Sequence, residues 1–119
     1  MTVGNFIVEI PRFRKLTAKP RFIAKYFSPQ EMKFLMEKHF PVYTIAEMFA
    51  AKLAFIKAIG INAQGCSLNE ISVLTDYSGT YYVSLSGKTK KLFAPSRRRV
   101  CIDCTHTKSL ALATVVLYE

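Results

Sequence analysis

The sequence predicts an α+β fold in which an antiparallel sheet wraps against a long central helix. Strand-like residues open the chain and return in four runs from residue 70 onward, while two helical patterns lie between them. Half of the 119 residues are hydrophobic and 21% are charged, which is typical of a folded domain with its own core. We therefore expect residues 1–119 to form a single domain.

A strand and a capped helix are predicted in the first third of the chain. Val3–Ile10 is rich in β-branched residues and is followed by proline, a combination that favours a strand. Ser28–Phe40 has the signature of a helix start. Ser28 suits the cap, Pro29 suits the first helical position, and Glu31 completes a capping box.

The predicted central helix, Thr44–Ile59, carries two lysines inside its apolar run, and Gly60 favours its end. Lys52 and Lys57 are separated by about 140° around a helix, so they would flank a ligand that lies across it. No carboxylate lies between them in the sequence. Two interpretations stay open: the lysines bind an anion, or both ammonium groups reach solvent from the edges of an apolar face.

The second half of the chain is predicted to consist mostly of strands. A Tyr-Ser-Gly turn joins Glu70–Asp76 to Thr80–Ser86, and we expect these two runs to pair as a β-hairpin. A basic loop, Lys88–Arg99, comes next. Two further β-rich runs, Arg99–His106 and Leu110–Glu119, complete the sheet, although the last run could open as a short helical turn.

The net charge of +9 predicts an anionic partner, such as a nucleic acid, a phosphorylated metabolite, an acidic protein or a membrane surface. The positive charge is concentrated in two segments that contain no acidic residue. The first basic segment contains Arg12, Arg14, Lys15, Lys19, Arg21 and Lys25. The second basic segment contains Lys88, Lys90, Lys91, Arg97, Arg98 and Arg99.

Several functional classes lack support in the sequence. It contains no G-x-x-x-x-G-K-S/T loop, no G-x-G-x-x-G, no H-E-x-x-H and no metal quartet, which argues against an NTPase or a dinucleotide enzyme. An odd number of cysteines and the lack of a membrane-spanning apolar run predict a cytoplasmic protein. Nucleic-acid binding stays open, because aromatic residues alternate with the basic runs. His106 fits either a structural role or proton transfer.

Five segments follow one another along almost the whole chain: GNFIVEI, FIAKYFSPQEM, MFAAKLAFIKAIG, EISVLTDYSGTYYVSLSG and CIDCTHTKSLALATVV. Together they resemble the family of small bacterial holo-acyl-carrier-protein synthases. The resemblance implies a 4′-phosphopantetheinyl transferase fold and a homotrimer with active sites between subunits. It also implies an enzyme of fatty acid biosynthesis that moves 4′-phosphopantetheine from coenzyme A to a serine of apo-acyl-carrier protein and releases adenosine 3′,5′-bisphosphate.

The resemblance further implies roles for the basic residues. The first basic segment would dock the carrier protein, a pairing that charge complementarity with an acidic partner also favours. Lys57 would be the catalytic residue, as a contact to the diphosphate and a candidate proton acceptor. The expected coenzyme A-binding residues are Lys52, Lys57, His106, Arg97, Arg98 and Arg99.

The sequence departs from the family at the expected magnesium site. The family binds Mg²⁺ through an aspartate and a glutamate, and Phe6 and Leu53 occupy those positions here. Neither side chain can ligate a hard cation, which needs oxygen donors, and no replacement carboxylate is evident. We therefore expect no protein metal ligands, although the family implies Mg²⁺. Two hypotheses follow: a transferase with altered metal dependence, or a catalytically silent relative that binds coenzyme A or carrier protein. Under both hypotheses, we expect neither a nucleic acid nor a membrane as a partner.

Overall fold

The computed structural model describes the backbone of residues 1–119 and the side chains of all of them except 61 and 62. Short 3₁₀ turns connect several of its helices and strands. The helices and strands are β1 (Thr2–Glu9), α1 (Ile10–Thr17), α2 (Pro20–Tyr26), α3 (Pro29–Glu37), α4 (Val42–Ile59), β2 (Ile71–Thr75), β3 (Tyr81–Leu85), α5 (Gly87–Phe93), β4 (Arg99–His106) and β5 (Leu110–Tyr118).

The strands form two antiparallel sheets rather than the one sheet that was predicted. Strands β1, β5 and β4 pair in that order, and β2 pairs with β3 as the expected hairpin. In the larger sheet, Phe6 lies opposite Ala113 and His106 lies opposite Ala111. One face of this sheet covers α4, so the α+β prediction with a long central helix is confirmed.

Helix α4 lies directly on β1 because β1 has a glycine at the closest approach. A Cβ atom built on Gly4 would lie 2.0 Å from the carbonyl oxygen of Ala54 and 2.7 Å from the backbone nitrogen of Ala58. Only glycine leaves room for so close an approach of two backbones. This contact sets the position of the C-terminal half of α4 relative to the side chains of β1, including Phe6.

The capping box of α3 forms as predicted. The hydroxyl of Ser28 accepts a hydrogen bond from the Glu31 backbone, and the Glu31 carboxylate accepts one from the Ser28 backbone. The predicted end of this helix was too late, because α3 stops at Glu37. His39 and Phe40 have left-handed backbone angles, with φ of 60° and 52°, which end the helical path.

In the second half of the chain one prediction was wrong, and one strand is confirmed without the helical turn that was left open. The predicted basic loop contains a helix, α5, and its first turn is held by Glu70, whose carboxylate accepts hydrogen bonds from the Lys88 and Thr89 backbone amides. A carboxylate at that end complements the partial positive charge of free backbone amides. The last strand begins at Leu110 without a helical turn, since its pairing with β1 starts there.

Within the described residues, no helix combines the length and the apolar character needed to cross a bilayer.

Candidate functional site

The exposed ammonium of Lys57 lies beside Phe6 and Leu53, the two residues at the expected metal-ligand positions. Its Nζ is 5.0 Å from the centre of the Phe6 ring, a cation–π contact between α4 and β1. Phe6 is half-buried and packs against the core, and Leu53 is half-buried one turn before Lys57. An apolar floor with a lysine over it therefore occupies the region in which the resemblance predicted a metal site.

This donor set does not fit a magnesium ion. Phe6 and Leu53 supply no oxygen, and hard cations take carboxylate, carbonyl or water oxygens. Among the residues whose side chains are described, no group of three or more His, Cys, Asp or Glu residues is placed to hold a metal. The cation that the protein itself supplies at this position is the ammonium of Lys57.

Lys52 was expected to bind coenzyme A, and its position in the structure does not fit that role. Its side chain is completely buried and forms an ion pair with the carboxylate of Glu31, whose side chain is also completely buried. The same ammonium donates to the carbonyl oxygens of Leu68 and Ile71. A lysine has three donors, and all three are used inside the protein. Glu31 is therefore the anion that explains a lysine within the apolar run of α4.

The buried Glu31–Lys52 pair joins three elements. Besides Lys52 on α4, Glu31 accepts hydrogen bonds from the backbone amide of Ser28, before α3, and from that of Val73, on β2, at 2.9 Å each. Burial raises the pKa of the Glu31 carboxyl and lowers that of the Lys52 ammonium, while each charge acts to keep the other ionised. We assign the pair a structural role.

A cleft lies near the C-terminal end of α4 and includes one residue of the second basic segment. Its volume is about 400 Å³, and its lining includes Ile59, Phe93 and Arg98. Arg98 donates a hydrogen bond to the hydroxyl of Thr2, which in turn donates to the carbonyl of Ala58, the residue after Lys57. The guanidinium is thereby tied to the same end of α4 that carries Lys57.

His106 lies at the other end of α4, in a cluster that the sequence did not predict. Its Nδ1 is 2.9 Å from Oε2 of Glu47, and the hydroxyl of Tyr81 donates to Oε1 of the same carboxylate at 2.7 Å. The Tyr43 ring stacks on the imidazole, with centroids 4.7 Å apart and planes 23° apart. Burial, reinforced by the Glu47 carboxylate, raises the pKa of the Cys104 thiol to about 12 and keeps it protonated.

The expected coenzyme A-binding residues thus fall into two groups within one chain. Glu47, the partner of His106, and Lys57 are ten residues apart on α4, which is about 15 Å along the helix axis. Arg99 and His106 are the two ends of β4, separated by about 23 Å in an extended strand. The structure brings Lys57 and Arg98 to one end and leaves His106 at the other.

The six side chains of the first basic segment are all exposed on and between α1 and α2. This surface continues toward His106, because the Arg14 guanidinium lies 5.8 Å from the centre of the Tyr43 ring that stacks on the imidazole. It is therefore next to the His106 cluster.

The sequence did not predict two residues of the His106 cluster, Glu47 and Tyr81. Glu47 lies on the predicted central helix but 59 positions before His106, and Tyr81 lies 34 positions after Glu47. Only the spacing of Tyr43 and Glu47, which puts them one turn apart on a helix, carries a signal for a common cluster. Nothing in the sequence indicates that β3 and β4 bring Tyr81 and His106 to that turn.

The fold and the arrangement of exposed cations around α4 define an α+β protein with a site suited to a phosphorylated, anionic ligand. The chain belongs to the 4′-phosphopantetheinyl transferase superfamily, whose pattern it matches over residues 2–115.

Relatives of known name and structure agree with this assignment. The chain is 34% identical, over 97% of its length and 94% of the relative, to a holo-[acyl-carrier-protein] synthase of Clostridium botulinum. The corresponding protein of Protochlamydia amoebophila is 33% identical over 93% of each chain. The ACPS–CoA complex of "Chronobacterium ammoniagenes" superposes with a TM-score of 0.85 at 27% identity, covering 99% of this chain and 97% of that one. The synthase of Neisseria meningitidis gives 0.88 at 25% identity, covering 99% and 98%.

Proposed function

We propose that this chain is a holo-acyl-carrier-protein synthase that transfers 4′-phosphopantetheine from coenzyme A to a serine of apo-acyl-carrier protein. The observation that carries the proposal is the near-complete structural likeness to a synthase bound to coenzyme A. A second synthase in complex with coenzyme A, from Helicobacter pylori, is similar over 97% of this chain with a TM-score of 0.80. The product released is adenosine 3′,5′-bisphosphate, in a pathway of fatty acid biosynthesis.

The cations at the C-terminal end of α4 are proposed to hold the phosphates of coenzyme A. Lys57 contacts the diphosphate, because its ammonium is exposed and is positioned over Phe6 rather than paired with a carboxylate. Arg97, Arg98 and Arg99 provide the contacts to the remaining phosphate, since guanidinium groups bind phosphate oxygens in pairs. No step is assigned to Mg²⁺, because the residues present do not fit it.

A homotrimer is proposed because one chain does not bring all of the expected residues together. Lys57 and the arginines lie at one end of α4 and His106 lies at the other, so a neighbouring subunit would place its His106 against the first group. The sheet face that does not cover α4 carries apolar side chains that a neighbour would bury. Val3 is 52% exposed, Ile7 58% and Leu110 41%.

The first basic segment is proposed to dock the carrier protein. Its exposed arginines and lysines form a surface that complements an acidic partner and would speed the encounter between the two proteins. We also propose that residues 1–119 work as one domain, since the helices and both sheets share one core. The free thiols of Cys66, Cys101 and Cys104 accord with the reducing cytoplasm.

The proposal is tested by incubating the chain with coenzyme A and apo-acyl-carrier protein, with magnesium, with manganese and with a chelator. The expected result is a mass gain of one phosphopantetheine on the carrier protein. A carrier variant whose acceptor serine is replaced by alanine is the control and should gain no mass. If no condition gives a mass gain on the unmodified carrier, the enzyme assignment is wrong.

Lys57→Ala is expected to weaken coenzyme A binding. A charge-assisted hydrogen bond contributes about 1.5–3 kcal/mol, so the dissociation constant should rise about 10-fold to 100-fold. Titration calorimetry measures this dissociation constant, with Lys33→Ala as a matched control because Lys33 is also an exposed lysine, on α3. An unchanged dissociation constant in Lys57→Ala would remove this residue from the site.

A catalytically silent relative is the second candidate, and the packing of Phe6 favours it. The ring packs against the core and lies under Lys57, so it fills the region of the family's metal site with apolar atoms. Such a protein would bind coenzyme A without transferring any part of it.

A further inference from the structure

The imidazole of His106 is oriented by a carboxylate that fixes which nitrogen carries its proton. Tyr81 donates to Oε1 of Glu47, and burial and this carboxylate raise the pKa of the phenol, so it stays a donor. The other oxygen, Oε2, lies 2.9 Å from Nδ1 of His106. Because a carboxylate oxygen only accepts, Nδ1 must be protonated for this contact to be a hydrogen bond.

The remaining nitrogen of His106, Nε2, belongs to a partly exposed ring. Among the residues whose side chains are described, none makes a hydrogen bond to Nε2. The histidine side chain is 43% exposed, whereas that of Glu47 is only 11% exposed, so a largely buried carboxylate holds the Nδ1 edge of a ring that is itself partly exposed. Stacking by Tyr43 limits rotation of the ring, and Tyr43 itself donates to the carbonyl of Lys108. A neutral imidazole held in this way presents an unprotonated Nε2, which is a proton acceptor.

This acceptor lies next to the surface that is proposed to dock the carrier protein. Arg14, an exposed residue of the first basic segment, lies over the same Tyr43 ring that stacks on His106. Lys57, the other candidate for proton acceptance, is at the far end of α4 in the same chain. The docking surface and the proton acceptor are therefore neighbours within one subunit.

We infer that His106 is the proton acceptor of the transfer and that Glu47 and Tyr81 are its positioning residues. The inference rests on the proposed function, including the homotrimer that would place His106 of one subunit against the Lys57 end of α4 in the next. The serine O–H bond breaks and its proton moves to Nε2 of His106. The proton on Nδ1 stays on the imidazole and keeps its hydrogen bond to Glu47. The serine oxygen bonds to the phosphorus that carries pantetheine. The bond from that phosphorus to the bridging oxygen breaks, and its electron pair leaves with adenosine 3′,5′-bisphosphate.

The alternative role for His106 is contact with a phosphate of the nucleotide. An unprotonated Nε2 has a lone pair and no hydrogen to offer a phosphate oxygen, and the Glu47 carboxylate behind it adds negative charge. The two roles predict different kinetics. A proton acceptor affects kcat and leaves the binding of coenzyme A unchanged, whereas a phosphate ligand affects the binding.

The protonation pattern is tested by NMR on protein labelled with ¹⁵N in its imidazoles. Long-range correlations at pH 8 should report Nδ1–H for His106, with exposed His39 as an internal reference that has no carboxylate partner among the described residues. Glu47→Ala should shift His106 toward the Nε2–H form. Glu47→Gln should retain Nδ1–H, because its one amide oxygen can accept from His106 while its NH2 group donates to the Tyr81 hydroxyl, which can also accept. Nε2–H on His106 in the unmodified protein would overturn the inference.

The kinetic role is tested with His106→Gln. A missing general base is expected to lower kcat about 100-fold or more. The dissociation constant of coenzyme A, and its preference over 3′-dephospho-coenzyme A, should change by less than about twofold, because no binding contact is lost. Glu47→Ala should lower kcat, and Glu47→Gln should recover part of the loss. Equal melting temperatures show that each variant is folded.

Two outcomes separate the inference from the proposed function. Unchanged kcat in His106→Gln, with transfer intact in the unmodified protein, would overturn the inference alone, as would weaker coenzyme A binding with a lost preference for the 3′-phosphate. An unmodified protein that transfers nothing would overturn both.

Discussion

The double substitution Phe6→Asp with Leu53→Glu is expected to make phosphopantetheine transfer depend on an added divalent cation. It places two carboxylates beside Lys57, where Phe6 now forms an apolar floor. A bound divalent ion can contribute several kcal/mol by neutralising charge on phosphate oxygens, and each 1.4 kcal/mol is tenfold in rate. We therefore expect a chelator to lower kcat/KM of the double variant more than about tenfold and that of the unmodified protein less than about twofold.

The matched control is Phe6→Asn with Leu53→Gln, which has nearly the same shape and no added charge. It should not acquire sensitivity to the chelator, because neutral amides are weaker ligands for a hard cation than carboxylates. Transfer by the double variant and none by the unmodified protein would establish the silent relative instead. A large chelator effect on the unmodified protein would mean that the metal is held by the phosphates of the substrate and by water.

The local part of the fold was accessible from the sequence because its signals are short-range. The capping box of α3 needs only Ser28 and Glu31, three residues apart, and both of its hydrogen bonds are present. The long apolar period of α4 likewise predicted a helix that runs to Ile59. Helix α5 was missed because it has no apolar period, and its N-terminus is held by Glu70, which lies 18 positions before Lys88.

The candidate site was harder to predict because its contacts are long-range. Lys52 and Lys57 look equivalent on the predicted helix, yet one is completely buried and the other is exposed. Their difference depends on which neighbours α4 meets: Lys52 meets Glu31 from α3, whereas Lys57 meets Phe6 from β1. The apolar pattern along α4 carries no information about either contact, because both involve residues of other elements. The same holds for Glu47, whose role depends on strands that follow it.

Lys52→Met is expected to be among the most destabilising substitutions on α4. It leaves the Glu31 carboxylate completely buried without its counter-ion, and it leaves the carbonyls of Leu68 and Ile71 without this donor. Breaking a buried ion pair by removing one partner costs about 3–5 kcal/mol, a large share of the roughly 5–15 kcal/mol that stabilises a domain. Urea unfolding measures the loss, with Lys57→Met as the control, expected to cost less than about 1 kcal/mol because that lysine is exposed.

The loss in Lys52→Met should depend on pH in a direction set by Glu31. Burial raises the pKa of this carboxyl, and Lys52 is the largest influence that lowers it, so removing Lys52 raises the pKa further. A carboxyl whose pKa is higher in the folded than in the unfolded state favours folding at low pH and loses that contribution as pH rises through its folded value. The deficit should therefore be larger at pH 8 than at pH 5, because lower pH favours the neutral form of the Glu31 carboxyl.

Adding Glu31→Gln to Lys52→Met separates the buried charge from the lost packing. The backbone amides of Ser28 and Val73 bond to different oxygens of Glu31, so the glutamine keeps an acceptor for only one of them, but it carries no charge. Part of the stability should therefore return, and the pH dependence should disappear. A deficit in Lys52→Met that is the same at both pH values would show that a change in the ionisation of Glu31 does not contribute to it. Lys52 would then act mainly through its hydrogen bonds to the carbonyls of Leu68 and Ile71, rather than as the counter-ion of the Glu31 carboxylate.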